Sequence, residues 1–173
     1  MAVTIKQTEG APDSYPTKSP AIELNDVAWM RVEQWIAWRY TSRSVAWIVE
    51  GPGAWFPPLA PSTITTVEIW DAGAWSEVTL DASPLGGYML TGEGPYRFTG
   101  TVGDDDADIP ANVWEAVKRL AAYLNTKAGK PGARSESVTA GSVSVSSSRS
   151  PTWMAAAMQN SGAADLLRGL RNV

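Results

Sequence analysis

Apolar and polar positions change rhythm several times along this chain. Residues 25–42, NDVAWMRVEQWIAWRYTS, place Trp29, Val32, Ile36 and Tyr40 at three- and four-residue steps, which predicts a helix with one apolar stripe. Trp35 and Trp38 widen the stripe, and Arg31, Glu33 and Arg39 are expected mostly away from it. Asn25 is the expected N-cap, and Asp26 favours the positive end of the helix dipole. Residues 110–125, PANVWEAVKRLAAYLN, predict a second helix. Pro110 suits its first turn, where a missing N–H costs nothing. Val113, Val117, Leu120 and Leu124 make its buried stripe, and Glu115 can pair with Arg119 four residues on.

Between these helices the period drops to two. Residues 45–103 are cut by frequent turn signals: GPG at 51–53, PP at 57–58, DAG at 71–73, GG at 86–87 and GEGP at 92–95. In PYRFTGTV, Tyr96, Phe98 and Val102 alternate with Arg97, Thr99 and Thr101, the pattern of a half-buried strand. TTVEIWDAGAWSEVTL reads as a hairpin closed near Asp71–Ala74. That register pairs Trp70 with Trp75 and Val67 with Val78, and it sets Glu68 opposite Glu77, a like-charge contact that costs stability unless both are exposed.

The ends differ again. Residues 1–22 hold Pro12, Pro16 and Pro20 among polar residues and are expected to form an extended or mobile arm. Residues 133–150 are Ser-rich and too poor in bulky groups to order themselves, although SVSV alternates and could become a strand against a partner. Residues 151–173 turn apolar once more and are helix-compatible, with a break at Asn160–Gly162. The fold class expected is α+β: a small helical body with an inserted antiparallel β region and an extended C-terminal tail. The arm spans 1–22, the body 23–128 and the tail 129–173.

Composition narrows the chemistry. The 173 residues contain no Cys and no His, which removes disulfides, thiolate nucleophiles, Cys/His zinc sites and His-based triads. A net charge of −4 argues against general duplex binding, which needs a basic face. The N-terminal stretch has no apolar h-region, and no run approaches the roughly 18–20 apolar residues of a membrane span. A soluble cytoplasmic product is the default expectation.

The most charged run is VGDDDADIP, with Asp104, Asp105, Asp106 and Asp108. A calcium loop needs donors at set offsets and a bidentate acid at its far end; here the acids are side by side, and the twelfth position from Asp104 is Glu115, inside the helix. Catalytic carboxylate pairs flank a cleft from separate segments. The run therefore reads as a solvated loop whose acids face the positive end of helix 110–125. No metal, cofactor or catalytic residue is expected.

Nine Trp remain to be explained. Trp buries a large area and carries one N–H that needs a partner, so a surplus suits a heavy core, a sugar-stacking platform or a protein interface. A Trp-rich carbohydrate-binding module, using Trp47, Trp55, Trp70 or Trp75, is one reading. The two amphipathic helices and the apolar tail speak against it.

The order of parts points elsewhere. A first helix is followed by STITTVEIWDAGAWSEVTL, then GYML and GPYRFTGTVG, then DIPANVWEAVKRLAAYL, and a Ser-rich tail ends in SGAADLLRGLR. This resembles the head–tail connector proteins (adaptor, or head-completion, proteins) of long-tailed bacteriophages and gene transfer agents. The likeness covers roughly residues 22–128, with a looser echo at 163–171. It departs from the family in showing one convincing helix before the strands, where two or more are common. It implies a non-enzymatic virion protein at the capsid–tail junction, made in the host cytoplasm. Members form a homo-oligomeric ring, commonly of twelve copies, under the portal. The ring extends the DNA channel, through which DNA passes without sequence-specific binding, and offers a surface to a tail-side completion or stopper protein. Surplus Trp and helix stripes suit the large heterologous contacts of a ring. An acidic wall would let DNA slide. The portal-docking and subunit-contact residues expected are Trp153, Met154, Met158, Leu166, Leu167, Arg168, Leu170 and Arg171 in the apolar tail.

Overall fold

The computed structural model describes residues 1–17, 26–126, 135–140, 143–148 and 152–171. The chain has both helices and antiparallel sheets, an α+β fold. It divides into a β unit, Met1–Pro16 with Ala37–Asp108, and a helical unit, Thr17–Ile36 with Ile109–Val173.

The β unit contains strands β1 (Val3–Glu9), β2 (Arg43–Glu50), β3 (Gly53–Trp55), β4 (Ser62–Asp71), β5 (Ala74–Glu77), β6 (Asp81–Ala82), β7 (Tyr88–Leu90) and β8 (Tyr96–Val102). One sheet runs in the order β1-β2-β8-β4-β5, and a smaller one in the order β3-β7-β6. Alternation along β2 and β8 sends Val45, Trp47, Val49, Tyr96, Phe98 and Val102 into the core with Trp55, Leu59 and Leu90. There Trp55 stacks on Phe98 at 4.2 Å and meets Trp47 edge-on at 5.7 Å. Gly100 makes the close passage of β8 past β4 possible: a Cβ there would lie 2.0 Å from the Thr63 carbonyl oxygen, beside the bulge between Ile64 and Thr66.

The β4–β5 hairpin has the expected register. Trp70 pairs with Trp75, Glu68 with Glu77, and the Val78 N–H donates to the Val67 carbonyl. Ala72 and Gly73 both take positive φ, 48° and 86°, which matches the twist of a tight two-residue hairpin turn.

Residues 1–22 were expected to be an arm, yet Val3–Glu9 is an edge strand of the larger sheet. The cause is polar. Buried Trp47 donates its indole N–H to Gln7 Oε1 at 2.8 Å, and buried Trp55 donates to Thr4 Oγ1 at 2.9 Å. Both indoles would otherwise be desolvated without an acceptor. At the end of the strand Glu9 accepts two hydrogen bonds from the buried Arg39 guanidinium, at 2.5 and 2.9 Å. Arg43 also reaches Glu9, at 3.4 Å.

The helical unit is built on α1 (Asp26–Ile36) and α2 (Ala111–Asn125). Helix α1 is shorter than the 25–42 expected. It stops at Ile36 because Ala37 turns to φ 54°, after which the Ala60 N–H donates to the Ala37 carbonyl and the Arg39 N–H to the Ala60 carbonyl. Trp29, Val32 and Ile36 are buried as expected, but so is Glu33, placed wrongly among the outward residues, and Arg39 too is buried rather than outward. The expected N-cap, Asn25, lies outside the described residues. Helix α2 buries Val113, Ala116, Val117, Leu120 and Ala121, with Leu124 half-buried, and Trp114 meets Trp29 edge-on at 5.2 Å. Glu115 pairs with Arg119 at 2.8 Å.

Two further pieces complete this unit. Strands β9 (Ser135–Ala140) and β10 (Val143–Ser148) pair with each other as an antiparallel ribbon, so the Ser-rich stretch finds its strand partner within itself. Short helices α3 (Ala157–Asn160) and α4 (Ala163–Leu166), with a 3-10 turn at Arg168–Leu170, pack on α2. The body–tail boundary expected near Gly129–Gly132 lies outside the described residues.

Candidate functional site

The eight residues expected to bind a partner all fall in the segment 152–171, and the structure sorts them by burial into three sets. Met158 and Leu167 are buried, at 7% and 0% exposure, with Ala157 and Ala163. Trp153 and Leu166 are half-buried. Met154, Arg168, Leu170 and Arg171 are exposed. The segment was expected to order only against a partner; it packs instead on its own chain, because its small and apolar residues match the alanine- and valine-rich stripe of α2.

Polar contacts fix its position. Arg31 Nη1 donates to the Met154 carbonyl at 2.9 Å, and Asn112 Nδ2 donates to the Leu166 carbonyl at 3.1 Å. Asn160 Nδ2 donates to the Tyr123 hydroxyl at 3.0 Å, and the Tyr123 ring lies 5.8 Å from that of Trp153. Side chains of α1 and α2 thus donate to two backbone carbonyls of the segment, one in the turn before α3 and one at the end of α4. An open cleft of about 300 Å³ remains, lined by Trp35, Gln159, Ala164, Asp165, Arg168 and Arg171. The Arg171 guanidinium lies over the Trp35 ring at 4.8 Å, a cation–π contact. Sequence reasoning missed Arg31, Trp35, Asn112 and Tyr123 as members of this surface. The available signal was the four-residue spacing of Arg31 and Trp35, which sets both on one flank of α1.

This surface carries no reactive constellation. The charged groups lining its cleft are two arginines and one aspartate, with Arg168 3.8 Å from Asp165 at the exposed rim. Such a set can bind an apolar segment bearing an acidic or polar group. Among the described residues no three His, Cys, Asp or Glu side chains gather as metal ligands. In the aspartate loop, Asp105 Oδ1 accepts from the Ser42 N–H at 2.9 Å, and Asp104 Oδ1 accepts from the Asp106 N–H at 3.0 Å. Those two carboxylates thus bind nearby backbone, and Pro110 starts α2 with no side-chain cap.

The candidate sugar platform is divided as well. Trp47 and Trp55 are core residues, 0% and 3% exposed, and cannot stack on a ligand. Trp70 and Trp75 meet edge-on at 5.3 Å on the hairpin, with Trp70 exposed. Beside them Arg97 lies 4.5 Å over the Trp75 ring and donates two hydrogen bonds to Glu68, at 2.6 and 2.7 Å. Those hydrogen bonds hold the Glu68 carboxyl below the usual carboxylate range. They also relieve the Glu68–Glu77 opposition that the hairpin register creates.

No protein-family model and no curated protein matches the chain. Among solved structures, it is similar to a chain in the neck of a native gene transfer agent (GTA) particle computed with C12 symmetry. The TM-score is 0.54 at 19% identity, over 86% of this chain and 79% of that one. It is similar also to a chain in the neck of an empty GTA particle computed with C6 symmetry, with a TM-score of 0.52 at 21% identity, over 86% of this chain and 75% of that one. At these identities the likeness establishes a shared fold.

Proposed function

We propose that this chain is a structural protein of a virion neck, a head–tail connector that forms a ring under the portal of a phage or gene transfer agent. The observation that carries this reading is the fold likeness over 86% of the chain to a component of a particle neck solved with twelvefold symmetry. The order of helix, β insertion, Pro-opened helix and Leu/Arg-rich end supports it independently. In this role the protein is not an enzyme. It extends the DNA channel without reading sequence and presents a surface to a tail-side stopper protein.

The C-terminal surface is the portal-facing part of the proposal. Met154, Leu170, Arg168 and Arg171 offer apolar contact with flanking cations on a preordered segment. Met158 and Leu167 hold that segment in shape, and Trp153 and Leu166 lie between the two sets. Preorganisation lowers the ordering cost of binding.

Inactivating the gene in its particle-forming host tests the reading. Filled heads without tails are expected, leaking DNA, with tails restored when the chain is supplied in trans. Normal tailed particles in the absence of the chain would overturn it.

A further inference from the structure

The larger sheet of the β unit ends in two different edges, β1 on one side and β5 on the other. Four strand spacings separate them, about 19 Å. Register carries one row of residues straight across: Lys6 is opposite Ile48, Ile48 opposite Arg97, Arg97 opposite Glu68, and Glu68 opposite Glu77. The row starts with a cation and ends with an anion. Arg97 and Glu68 neutralise each other inside it. Lys6 and Glu77, both exposed, have no ion-pair partner among the described residues.

The neighbouring positions are apolar at both edges. Val3 is 50% exposed and Ile5 58% exposed on β1, while exposed Trp70 pairs with Trp75 on the β4–β5 hairpin. Because each successive pairing is antiparallel, β1, β8 and β5 run the same way. A copy set edge to edge, with strand direction kept, therefore places Trp75 to Glu77 of one chain alongside Val3 to Lys6 of the next. The extra residue on β1 is absorbed by its bulge at Ile5. Apolar groups then meet apolar groups, and Lys6 meets Glu77.

We infer that these two edges form one subunit contact, β5 of one copy against β1 of the next. This rests on the ring reading above and names the surfaces that close the ring. Two unlike edges make a heterologous contact, which repeats head to tail and can close on itself. Exposed edges of this kind are usually guarded against chance pairing. Here Lys6 and the bulge select one partner edge, since a second β1 would bring like charges together.

The chain has no cysteine, so introduced ones report cleanly. Particles assembled with a chain carrying both Lys6→Cys and Glu77→Cys are treated with a short bis-maleimide and run on a denaturing gel. A ladder of two, three and more linked chains is expected from the double variant, and unlinked chains from each single variant. If the double variant sits in the particle neck yet gives no ladder, this contact is wrong while the ring stands. Linked pairs from Lys6→Cys alone would replace it with a symmetric contact. If the chain is missing from the neck, the ring reading fails and the contact with it.

Discussion

The β unit and the helical unit are each closed by a terminal segment, but by different forces. In the β unit β1 turns its polar side inward: Thr4 and Gln7 accept from buried indoles, and Glu9 binds Arg39, while Val3 and Ile5 face outward. In the helical unit the segment 152–171 closes by apolar burial, with Leu167, Met158, Ala157 and Ala163 inside and its arginines outside. A strand can thus be held in a sheet by what it does for the core's polar atoms. The helical segment is held by area removed from water, a term that tolerates sliding and repacking better than fixed hydrogen bonds do.

Removing residues 1–9 tests the polar closure and has the largest expected effect. Two buried indole N–H groups would lose acceptors, at about 1–3 kcal/mol each. Arg39 would lose its carboxylate, which costs about 3–5 kcal/mol for a buried pair. Together these approach the whole stability of a small domain, about 5–15 kcal/mol. The truncated chain should be insoluble, or lose the near-UV dichroism of its packed Trp residues. A truncation that melts like the full chain would mean β1 is dispensable.

Leu167→Ala tests the apolar closure. A cost of about 2–5 kcal/mol is expected for a fully buried leucine, against less than about 0.5 kcal/mol for exposed Leu170→Ala. Chemical denaturation of both variants checks this. Equal behaviour would mean that the C-terminal segment does not pack on α2 in solution.

The same contrast explains what the sequence revealed. Where the buried face is apolar, periodicity found it: α2, the alternation in β8 and the register of the Trp70–Trp75 hairpin were all legible. β1 was not, because its inward residues are Thr4, Gln7 and Glu9 and its apolar ones face out. Its inward residues make sense only once Trp47 and Trp55 are placed. The far end of α1 was overextended because Tyr40 falls at helical spacing, although the chain reverses at Ala37. The apolar content of 151–173 was legible, but not its target, since an amphipathic segment reads the same whether it packs on its own chain or on a partner. Lys6 and Glu77 gave no signal alone; only strand order sets them at opposite ends of one row.

Acid should separate the outer sheet face from both cores by a smaller amount. Arg97 holds Glu68 below its unfolded ionisation range, so this pair contributes stability above about pH 4.3 that is lost as pH falls through the depressed folded value. Melting of wild type and Glu68→Gln from pH 7 down to pH 2 is expected to converge, with the wild type ahead only at the neutral end. Parallel curves would show that the pair is screened out. The smallest effect is expected from Asp104, Asp105 and Asp106 replaced together by Asn. Asn keeps an acceptor for the Ser42 N–H, so melting should shift by less than about 0.5 kcal/mol, and calcium or magnesium should not raise it. A rise of several degrees with either ion would reveal a cation site in this loop.

The central claim is that this chain is a neck ring that meets the portal. The most direct test is the mass of the complex formed when the purified chain is mixed with its portal ring, measured by mass photometry. The account predicts a discrete species with one copy of this chain per portal subunit, weakened at least tenfold when Met154, Arg168, Leu170 and Arg171 are replaced together by Ser. A portal mass unchanged at any concentration of a well-folded chain would contradict it.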